Sequence, residues 1–297
     1  MLLDKLYRKF WDKIDEADAE RVAKEVLPEG IELIENIPYI PGGNKWQVID
    51  VIRPEKRDGL LPVIIDVHGG GLQGGTKHGN RPYCYHLASY GFIVFAMDYS
   101  LSPEYRYPAH LEDVNESLLW IKDHLEEYGG DEKNVFITGD SAGGMLAIHE
   151  TLVNNDIDLA ASYGLVQPGF TFNAVALTSG MFEFDKSAMI KILFPGIFGT
   201  WSKKKAPHFE DLDLSKLVKK ETVPPCFLVT SKEDFIHDAT VRFADLLKSK
   251  DIPYVLYDYP KCEEQKLPHV FSVLQPNTVK GKDCIEKLIA FFKSYLQ

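Results

Sequence analysis

Residues 134–144 read NVFITGDSAGG, and they contain the clearest indication of the fold. Its first part is a short apolar run that predicts a β-strand, and the residues from Ser141 onward are compatible with a helix. Between them lies a Gly-x-Ser-x-Gly turn, in which Gly139 and Gly143 flank the serine. A turn this sharp leaves no room for side chains beside Ser141 and holds its hydroxyl clear of the backbone. The stretch therefore predicts a nucleophilic serine on a strand–turn–helix unit.

Outward from this turn, apolar runs alternate with helix-compatible segments. Residues 61–67 (LPVIIDV) are almost continuously apolar, which is the pattern of a strand buried on both faces of a parallel sheet. Residues 111–128 form the clearest helix, because apolar residues recur there at helical spacing. The alternation predicts an α/β fold, with a mostly parallel central sheet flanked by helices on both faces. We expect further strands over 46–53, 92–97, 134–138, 174–178, 225–230 and 254–259, and further helices over 80–90 and 283–295.

Two segments are predicted to lie outside this framework. Residues 1–40 are expected to form a helical segment, and residues 182–223 form a long connection that is rich in Phe and Lys. Because ligands bind at the carboxyl edge of such sheets, we expect both segments to contribute to a small helical lid over that edge. The alternative for the second segment is an ordinary decorated crossover. The catalytic domain is then expected over residues 41–297.

The composition excludes some classes of function. The 297 residues carry 33 Lys and Arg against 44 Asp and Glu, which gives a formal net charge of −11. So acidic a surface repels nucleic acid and is not attracted to anionic membranes. The chain has no apolar run near the roughly 20 residues of a spanning helix, and its four cysteines form no Cys-x-x-Cys pair. Charges recur too early in residues 1–8 for the apolar core of a signal peptide, so none is expected. We expect a cytoplasmic protein with reduced thiols.

A second motif follows the predicted strand at 61–67. His68, Gly69, Gly70 and Gly71 come directly after it. Consecutive glycines leave backbone N–H groups free to point into a cavity, although a flexible turn has the same composition. Such donors stabilise the negative oxygen of a tetrahedral intermediate and are worth roughly 10²–10³ in rate apiece.

A serine nucleophile needs a base to take its proton, and the base needs a carboxylate to orient it. In this type of fold the chain order is serine, acid, histidine. We favour His269 as the base, because it lies in a loop between the last predicted strand and the last helix. The other histidines after Ser141 are His149, His208 and His237. The acid candidates are Glu233, Asp234 and Asp238, which loop position alone does not separate.

These motifs resemble those of the hormone-sensitive-lipase-like family of α/β-hydrolase carboxylesterases. That family is marked by HGGG and GDSAGG, and both occur unaltered here at residues 68–71 and 139–144. It also has a stretch similar to DYRLAPE-x-x-FPA, and residues 98–104 (DYSLSPE) and 107–109 (YPA) correspond to it. The resemblance covers roughly residues 60 to 295. It implies an α/β-hydrolase fold with a small helical lid.

The resemblance also implies the roles of individual residues. The family's acid lies in a D-P-L-x-D stretch; residues 234–238 read DFIHD, so Asp234 is implied as the acid and Asp238 is left without a role. In the family the catalytic histidine is followed by Gly-Phe, whereas His269 of this chain is followed by Val-Phe. The implied catalytic residues are Ser141, Asp234 and His269, the implied oxyanion donors are the N–H groups of Gly70, Gly71 and Ala142, and the supporting motif residues are His68, Gly69 and Asp140.

The function expected from these residues is hydrolysis of short-chain carboxylic esters through an acyl-enzyme on Ser141, without a metal or other cofactor. An amidase or a deacetylase would use the same residues, and a non-catalytic small-molecule binding protein is the remaining alternative. The expected partner is a small-molecule ester, and neither nucleic acid nor a membrane is expected. A homodimer is suggested only by the habit of the family. The candidate pocket residues are Phe182, Phe194, Phe198 and Trp201, which would otherwise pack the lid onto the body.

Overall fold

One eight-stranded sheet forms the centre of the protein in a computed structural model, which describes residues 2–184 and 188–297. The strands are β1 (Ile31–Pro38), β2 (Val48–Pro54), β3 (Leu61–Val67), β4 (Ile93–Met97), β5 (Gly130–Asp140), β6 (Phe172–Thr178), β7 (Cys226–Ser231) and β8 (Tyr254–Tyr259). Their order in the sheet is β1-β2-β4-β3-β5-β6-β7-β8. The pairs β1–β2 and β2–β4 are antiparallel, and the other neighbouring pairs of the sheet are parallel. The predicted mostly parallel α/β fold is therefore confirmed.

Helices cover both faces of this sheet. They are α1 (Leu2–Val22), α2 (Lys77–Ser89), α3 (Ala109–His124), α4 (Ser141–Asn155), α5 (Ile157–Tyr163), α6 (Ala188–Phe198), α7 (Leu214–Leu217), α8 (His237–Ser249), α9 (Phe271–Leu274) and α10 (Val279–Lys293). One core lies between the sheet and α3, α4 and α8, and the other lies between the sheet and α2 and α10. The two cores bury both faces of the sheet at the centre of the molecule.

β3 shows why continuous apolar runs form the central strands. Val63 and Ile65 point into one core and Ile64 points into the other, and none of the three is exposed to solvent. A strand between two helical layers needs apolar side chains on both faces, because successive residues point in opposite directions. The boundaries of β3 and β8 agree with the predicted ones.

The N-terminal 40 residues differ from the prediction. The helix α1 ends at Val22, and residues 31–38 form the edge strand β1 instead of continuing the helical segment. Ile31 and Leu33 alternate with Glu32 as in a strand, but the pairing with β2 becomes irregular between Ile34 and Ile37. This irregularity breaks the alternation of apolar and polar residues, so the sequence pattern did not reveal the strand. The predicted segment also includes residue 1, which lies outside the described residues.

The connection between β6 and β7 contains α6, two short 3₁₀ turns (Lys203–Lys205 and Phe209–Leu212) and α7. The predicted lid range of 182–223 includes residues 185–187, which are outside the described residues. Phe194, Phe198 and Phe209 pack on one another here, with ring centroids 4.6–5.8 Å apart. The Tyr7 hydroxyl of α1 donates to the Ile192 carbonyl of α6 at 2.6 Å, so the two predicted lid segments contact each other.

Candidate active site

The turn at Ser141 joins β5 directly to α4. Ser141 has φ +51°, a left-handed conformation that is uncommon for a residue with a side chain. Gly139 and Gly143 make the turn sterically feasible. A Cβ atom at Gly139 would lie 2.4 Å from the Gly143 carbonyl oxygen, and one at Gly143 would lie 2.0 Å from the Val67 carbonyl oxygen of β3. The turn therefore depends on glycine at both places, and it presents the Ser141 hydroxyl at the carboxyl edge of the central strands.

Ser141, His269 and Asp234 form a hydrogen-bonded series at this edge. The His269 Nε2 atom lies 2.9 Å from Ser141 Oγ, and its Nδ1 atom lies 2.8 Å from Asp234 Oδ1. Asp234 follows β7, and His269 lies in the loop between β8 and α9. With Nδ1–H donating to the carboxylate, Nε2 is the acceptor for the serine hydroxyl, within the distance that proton transfer requires.

Asp234 is the buried end of this series. Its side chain is fully shielded from solvent, and it accepts hydrogen bonds from the Ile236 N–H at 2.9 Å and the Thr230 hydroxyl at 3.3 Å. Burial by itself raises the pKa of Asp234, but hydrogen bonds from His269 and Ser179 outweigh this, and the net pKa lies below its ordinary value. The carboxylate is therefore ionised at neutral pH and stabilises a positive charge on His269.

Glu233, one of the three acids that loop position left open, has a different partner. Its Oε2 atom accepts the Leu267 N–H at 2.8 Å, and the Ser231 hydroxyl donates to the Leu267 carbonyl. Both polar groups of Leu267, two residues before His269, are thus tied to the end of β7. Sequence reasoning did not identify this contact, because no local pattern links residue 233 to residue 267.

The remaining candidates from the sequence lie apart from Ser141. Asp238 pairs with the neighbouring His237, with 2.9 Å between Oδ1 and Nδ1, and its side chain is 78% exposed. His149 Nε2 lies 3.0 Å from the Asp211 carbonyl oxygen, and His208 Nδ1 lies 3.1 Å from the Asp211 carboxylate. These groups stabilise the body and the β6–β7 connection.

The glycine loop after β3 supplies backbone donors beside Ser141. Gly70 (φ +120°) and Gly71 (φ +60°) both adopt left-handed conformations. Their N–H groups donate to no other residue of the ranges 2–184 and 188–297. The N–H of Ala142, in the first turn of α4, has no acceptor within its helix. Gly70, Gly71 and Ser141 border the same cavity, so an oxyanion formed at Ser141 would find donors at this place.

The predicted supporting residues hold this loop from behind. Asp140 Oδ1 accepts the Gly69 N–H at 3.0 Å and the Asn80 side-chain amide at 2.9 Å. His68 stacks on Tyr99, with 4.3 Å between ring centroids, and its Nδ1 donates to the Gly69 carbonyl at 2.6 Å. Burial raises the pKa of Asp140. These contacts orient the backbone of the loop and leave its free donors on the cavity side.

Helix α1 also contacts this loop. The Trp11 ring packs so closely on Gly74 that a Cβ atom there would lie 2.3 Å from the ring, and it also touches Gly71. Asp15 Oδ1 accepts the Gly75 N–H at 3.0 Å. Sequence patterns predicted the helix but not these contacts, because residues 11 and 15 carry no recognisable motif.

A cavity of about 240 Å³ opens at Ser141 and His269. Helix α1 contributes Phe10, Trp11 and Ile14 to its wall. The other apolar residues of the wall are Phe235 in the loop after β7, Val270 in the loop after β8, and Leu274 in α9. An ester bound at Ser141 would therefore have mainly apolar neighbours.

The four predicted pocket residues are not among those that line this cavity, so this prediction needs correction. Phe182 borders a separate cavity of about 470 Å³ with residues of the β6–β7 connection. Phe194 and Phe198 are buried in the aromatic cluster of α6, and Trp201 is 69% exposed. Because α6 packs its rings onto Phe209, they stabilise the connection and are not available to the Ser141 cavity.

Neither a metal site nor a membrane span is found in the described parts of the chain. No group of three or more His, Cys, Asp or Glu side chains in residues 2–184 and 188–297 is arranged to hold a metal ion. None of the described helices has both the length and the apolar character needed to cross a bilayer.

Comparison with known proteins identifies related sequences. A family profile described as alpha/beta hydrolase fold matches residues 64–271. Esterase LipQ of Mycobacterium tuberculosis is 39% identical over 141 residues, which make up 46% of this chain and 31% of LipQ. Hormone-sensitive lipase of Mus musculus is 29% identical over 144 residues, or 48% of this chain and 18% of the lipase. The chain thus matches about a third or less of the length of these two relatives.

A solved structure extends the similarity to nearly the whole chain. Esterase B from Lactobacillus rhamnosis, inhibited by a tributyrin phosphonate, superposes with a TM-score of 0.92 at 26% identity. The superposition covers 99% of this chain and 95% of Esterase B. The predicted resemblance to hormone-sensitive-lipase-like esterases is therefore confirmed by both sequence and fold.

Proposed function

The chain belongs to the alpha/beta hydrolase fold family, and we propose that it is a serine carboxylesterase. The observation that carries this proposal is the hydrogen-bonded series Asp234–His269–Ser141, with distances of 2.8 and 2.9 Å, beside a loop of free backbone donors. Its relatives LipQ and Esterase B carry the name esterase, which supports the same class of reaction. A non-catalytic binding protein would not need all three side chains aligned for proton transfer.

The first half of the reaction forms an acyl-enzyme. Ser141 Oγ attacks the ester carbonyl carbon while His269 Nε2 takes the hydroxyl proton, and Asp234 stabilises the imidazolium that results. The carbonyl oxygen becomes an oxyanion and accepts hydrogen bonds from the N–H groups of Gly70, Gly71 and Ala142. When the tetrahedral intermediate collapses, the bond to the alcohol oxygen breaks, and His269 gives this oxygen the proton.

The second half releases the acid. His269 takes a proton from a water molecule, whose oxygen attacks the acyl carbon bound to Ser141 Oγ. The same backbone donors stabilise the second oxyanion. Its collapse breaks the bond to Ser141, which recovers its proton from His269, and the carboxylic acid leaves. Neither half requires a metal or a cofactor.

Short acyl chains fit the site best. The cavity at Ser141 has a volume of about 240 Å³, which is below the usual range of roughly 300–1,000 Å³ for ligand pockets. Tributyrin, the ester that the phosphonate on Esterase B imitates, carries four-carbon acyl groups and is a suitable first substrate. We therefore expect hydrolysis of acetyl to hexanoyl esters.

The lid is part of this proposal. Helix α1 borders the cavity through Phe10, Trp11 and Ile14, and it touches α6 through the hydrogen bond from Tyr7 to Ile192. Movement of these two helices together would open the site and admit substrate. Cytoplasmic location, a homodimer and the absence of nucleic-acid binding remain predictions from the sequence.

Replacement of the nucleophile tests the proposal. Ser141→Ala should lower turnover of 4-nitrophenyl butyrate to background, since loss of this group in serine hydrolases costs about 10⁶-fold in kcat. Ser249→Ala, a change at an exposed serine of α8, is the matched control and should keep full activity. A fluorophosphonate probe should label the wild type and the control but not Ser141→Ala. Wild-type turnover by Ser141→Ala would contradict the assignment.

A further inference from the structure

We propose that Phe10 and Phe235 bind the apolar part of the substrate's alcohol, so that the enzyme prefers esters of ring-sized apolar alcohols. The inference rests on the proposed esterase function and adds a substrate class to it. It assigns specificity to two residues that no motif marks.

The first observation is the exposure of two large apolar side chains at the catalytic cavity. Phe10 is 56% exposed and Phe235 is 59% exposed, and both border the cavity that contains Ser141 and His269. Phe10 comes from α1, and Phe235 comes from the loop between β7 and α8. Exposed apolar surface beside a concave site is typical of ligand binding, because a ligand removes that surface from water.

The second observation connects Phe235 with the alcohol side of the substrate. Its ring lies against the imidazole of His269, with 4.5 Å between centroids and an angle of 51°. His269 Nε2 has to reach the leaving alcohol oxygen to protonate it. The carbon attached to that oxygen must then lie within a few ångströms of the imidazole, next to Phe235. The acyl carbon, by contrast, has to remain between Ser141 and the glycine loop.

The aromatic residue at position 235 departs from the motif of the resembling family. Residues 234–238 read DFIHD where the resembling family has D-P-L-x-D, so Phe235 stands where that family has proline. A proline would leave this side of the imidazole without a ring. The chain therefore carries a specific addition to the site at a place where the motif does not require an aromatic residue.

Phe10 is held in place by α1. Its ring makes an edge contact with Trp11, with 5.5 Å between centroids and an angle of 79°, and Trp11 itself packs on the glycine loop. Phe10 is thus connected through Trp11 to the loop that carries the oxyanion donors. A ring bound beside Phe10 would lie close to that loop.

The size of the cavity limits the alcohol. A closed cavity of about 150 Å³ lined by Leu, Ile and Phe holds a benzene molecule. The cavity here is about 240 Å³, which accommodates a ring together with a short acyl group. Benzyl acetate has these proportions, whereas ethyl acetate leaves the two phenylalanine rings in water.

The test compares acetates whose alcohols have similar acidity, so that the chemistry of the leaving group is constant. We would measure kcat/KM for benzyl, cyclohexylmethyl and ethyl acetate with the wild type, Phe235→Ala and Phe10→Ala. The wild type should prefer benzyl over ethyl acetate by about tenfold or more. Each substitution should lower this ratio by about tenfold, which corresponds to 1.4 kcal/mol of transition-state stabilisation. Trp201→Ala, an exposed aromatic residue that does not border the cavity, is the matched control and should leave the ratio unchanged.

Two outcomes would overturn the proposal while leaving the esterase function intact. The benzyl-to-ethyl ratio could stay the same in Phe235→Ala and Phe10→Ala, even if both esters lose activity equally because Phe235 acts only through His269. The substitutions could instead change the preference between ethyl phenylacetate and ethyl acetate, which would place the ring on the acyl side. If the wild type hydrolysed no ester at all, the proposed function itself would be wrong.

Discussion

Single side chains outside the catalytic series determine whether that series is aligned. Glu233 and Ser231 bind the N–H and the carbonyl of Leu267, and this backbone segment leads directly to His269. Leu267 is fully buried, so these groups have no water to replace a lost partner. Glu233 was one of three acids that loop position could not separate, and its role in the structure is that of a positioning residue.

Glu233→Ala should lower kcat for 4-nitrophenyl butyrate by about tenfold with little change in KM, because a hydrogen bond to a charged group contributes about 1.5–3 kcal/mol. The loss would act on the alignment of His269 and not on substrate binding. Glu233→Gln keeps an acceptor oxygen and should recover most of the activity. Asp238→Ala, an exposed acid in the first turn of α8, is the control because its side chain is 78% exposed. Unchanged kcat in Glu233→Ala would show that the His269 loop does not need this anchor.

At the scale of secondary structure, the oxyanion loop is supported by a helix that is distant in sequence. Helix α1 contacts the loop through the Trp11 ring on Gly71 and Gly74 and through the Asp15 carboxylate on the Gly75 N–H. The loop contains several left-handed residues, so its free donors point correctly only if the surrounding backbone is held. Helix α1 is therefore expected to affect transition-state binding more than substrate binding.

Asp15→Ala should weaken binding of a trifluoromethyl ketone inhibitor by about tenfold, because the hemiketal oxyanion depends on the loop donors. Inhibition by 1-butanol, a neutral molecule with no negative oxygen for these donors, should change much less. Glu16→Ala, an exposed change on the same helix, serves as the control. Equal weakening of both inhibitors would mean that α1 only shapes the cavity.

The helix α4, which begins at Ser141, carries a buried acid whose titration affects stability. Glu150 is fully buried, and its carboxylate accepts one hydrogen bond from Asn115 at 3.1 Å. Burial raises the pKa of Glu150 from 4.5 to about 8, and the hydrogen bond offsets only part of this effect. The folded state thus binds a proton more tightly than the unfolded state. The stabilisation of the folded state that comes from this tighter proton binding is complete below about pH 4.5. It is lost as the pH rises to about 8.

Glu150→Gln removes the titrating group at constant size, so the variant should gain stability relative to the wild type as the pH rises. The free energy of unfolding, measured with urea at pH 5, 7 and 9, should show a difference that grows in that order. Glu127→Gln, at an exposed position, should show a much smaller dependence on pH. A difference that is constant across the three pH values would refute the buried titration.

At the scale of the whole molecule, the two cores around the sheet determine which reactive groups solvent can reach. Cys84, Cys226 and Cys284 are buried in these cores, whereas Cys262 is partly exposed in the loop before α9. Burial raises the pKa of the Cys284 thiol to about 12 and also raises those of Cys84 and Cys226. Thiolates react far faster than thiols. Burial and a raised pKa therefore both lower the reactivity of these three cysteines.

Ellman's reagent should therefore modify one thiol rapidly in the native protein and all four after denaturation in guanidinium chloride. Cys262→Ser should remove the rapid phase and leave three thiols reactive only in the denatured state. Rapid reaction of a second thiol in the native protein would show that one of the cores is more open than the structure indicates.

Local patterns were sufficient for the framework of this protein. Apolar runs such as residues 61–67 predicted the central strands, and the glycines around Ser141 and after His68 predicted the turn and the donor loop. Each of these features depends on the conformations open to a few consecutive residues, so a short stretch of sequence contains the necessary information. The fold that they predicted is the one observed, and the family resemblance built on them is confirmed.

Contacts between distant residues were decided only by packing in three dimensions. Position in the chain left three acids open, and only the family resemblance singled out Asp234; folding brings Asp234 to His269 and Glu233 to Leu267. Likewise the cavity at Ser141 is bordered by Phe10 and Phe235, while the aromatic residues predicted for it pack within the β6–β7 connection, stack on α8 or face solvent. The choice among chemically equivalent side chains depends on how helices dock on the sheet. That docking is a property of the whole core and leaves no pattern in any single segment of the chain.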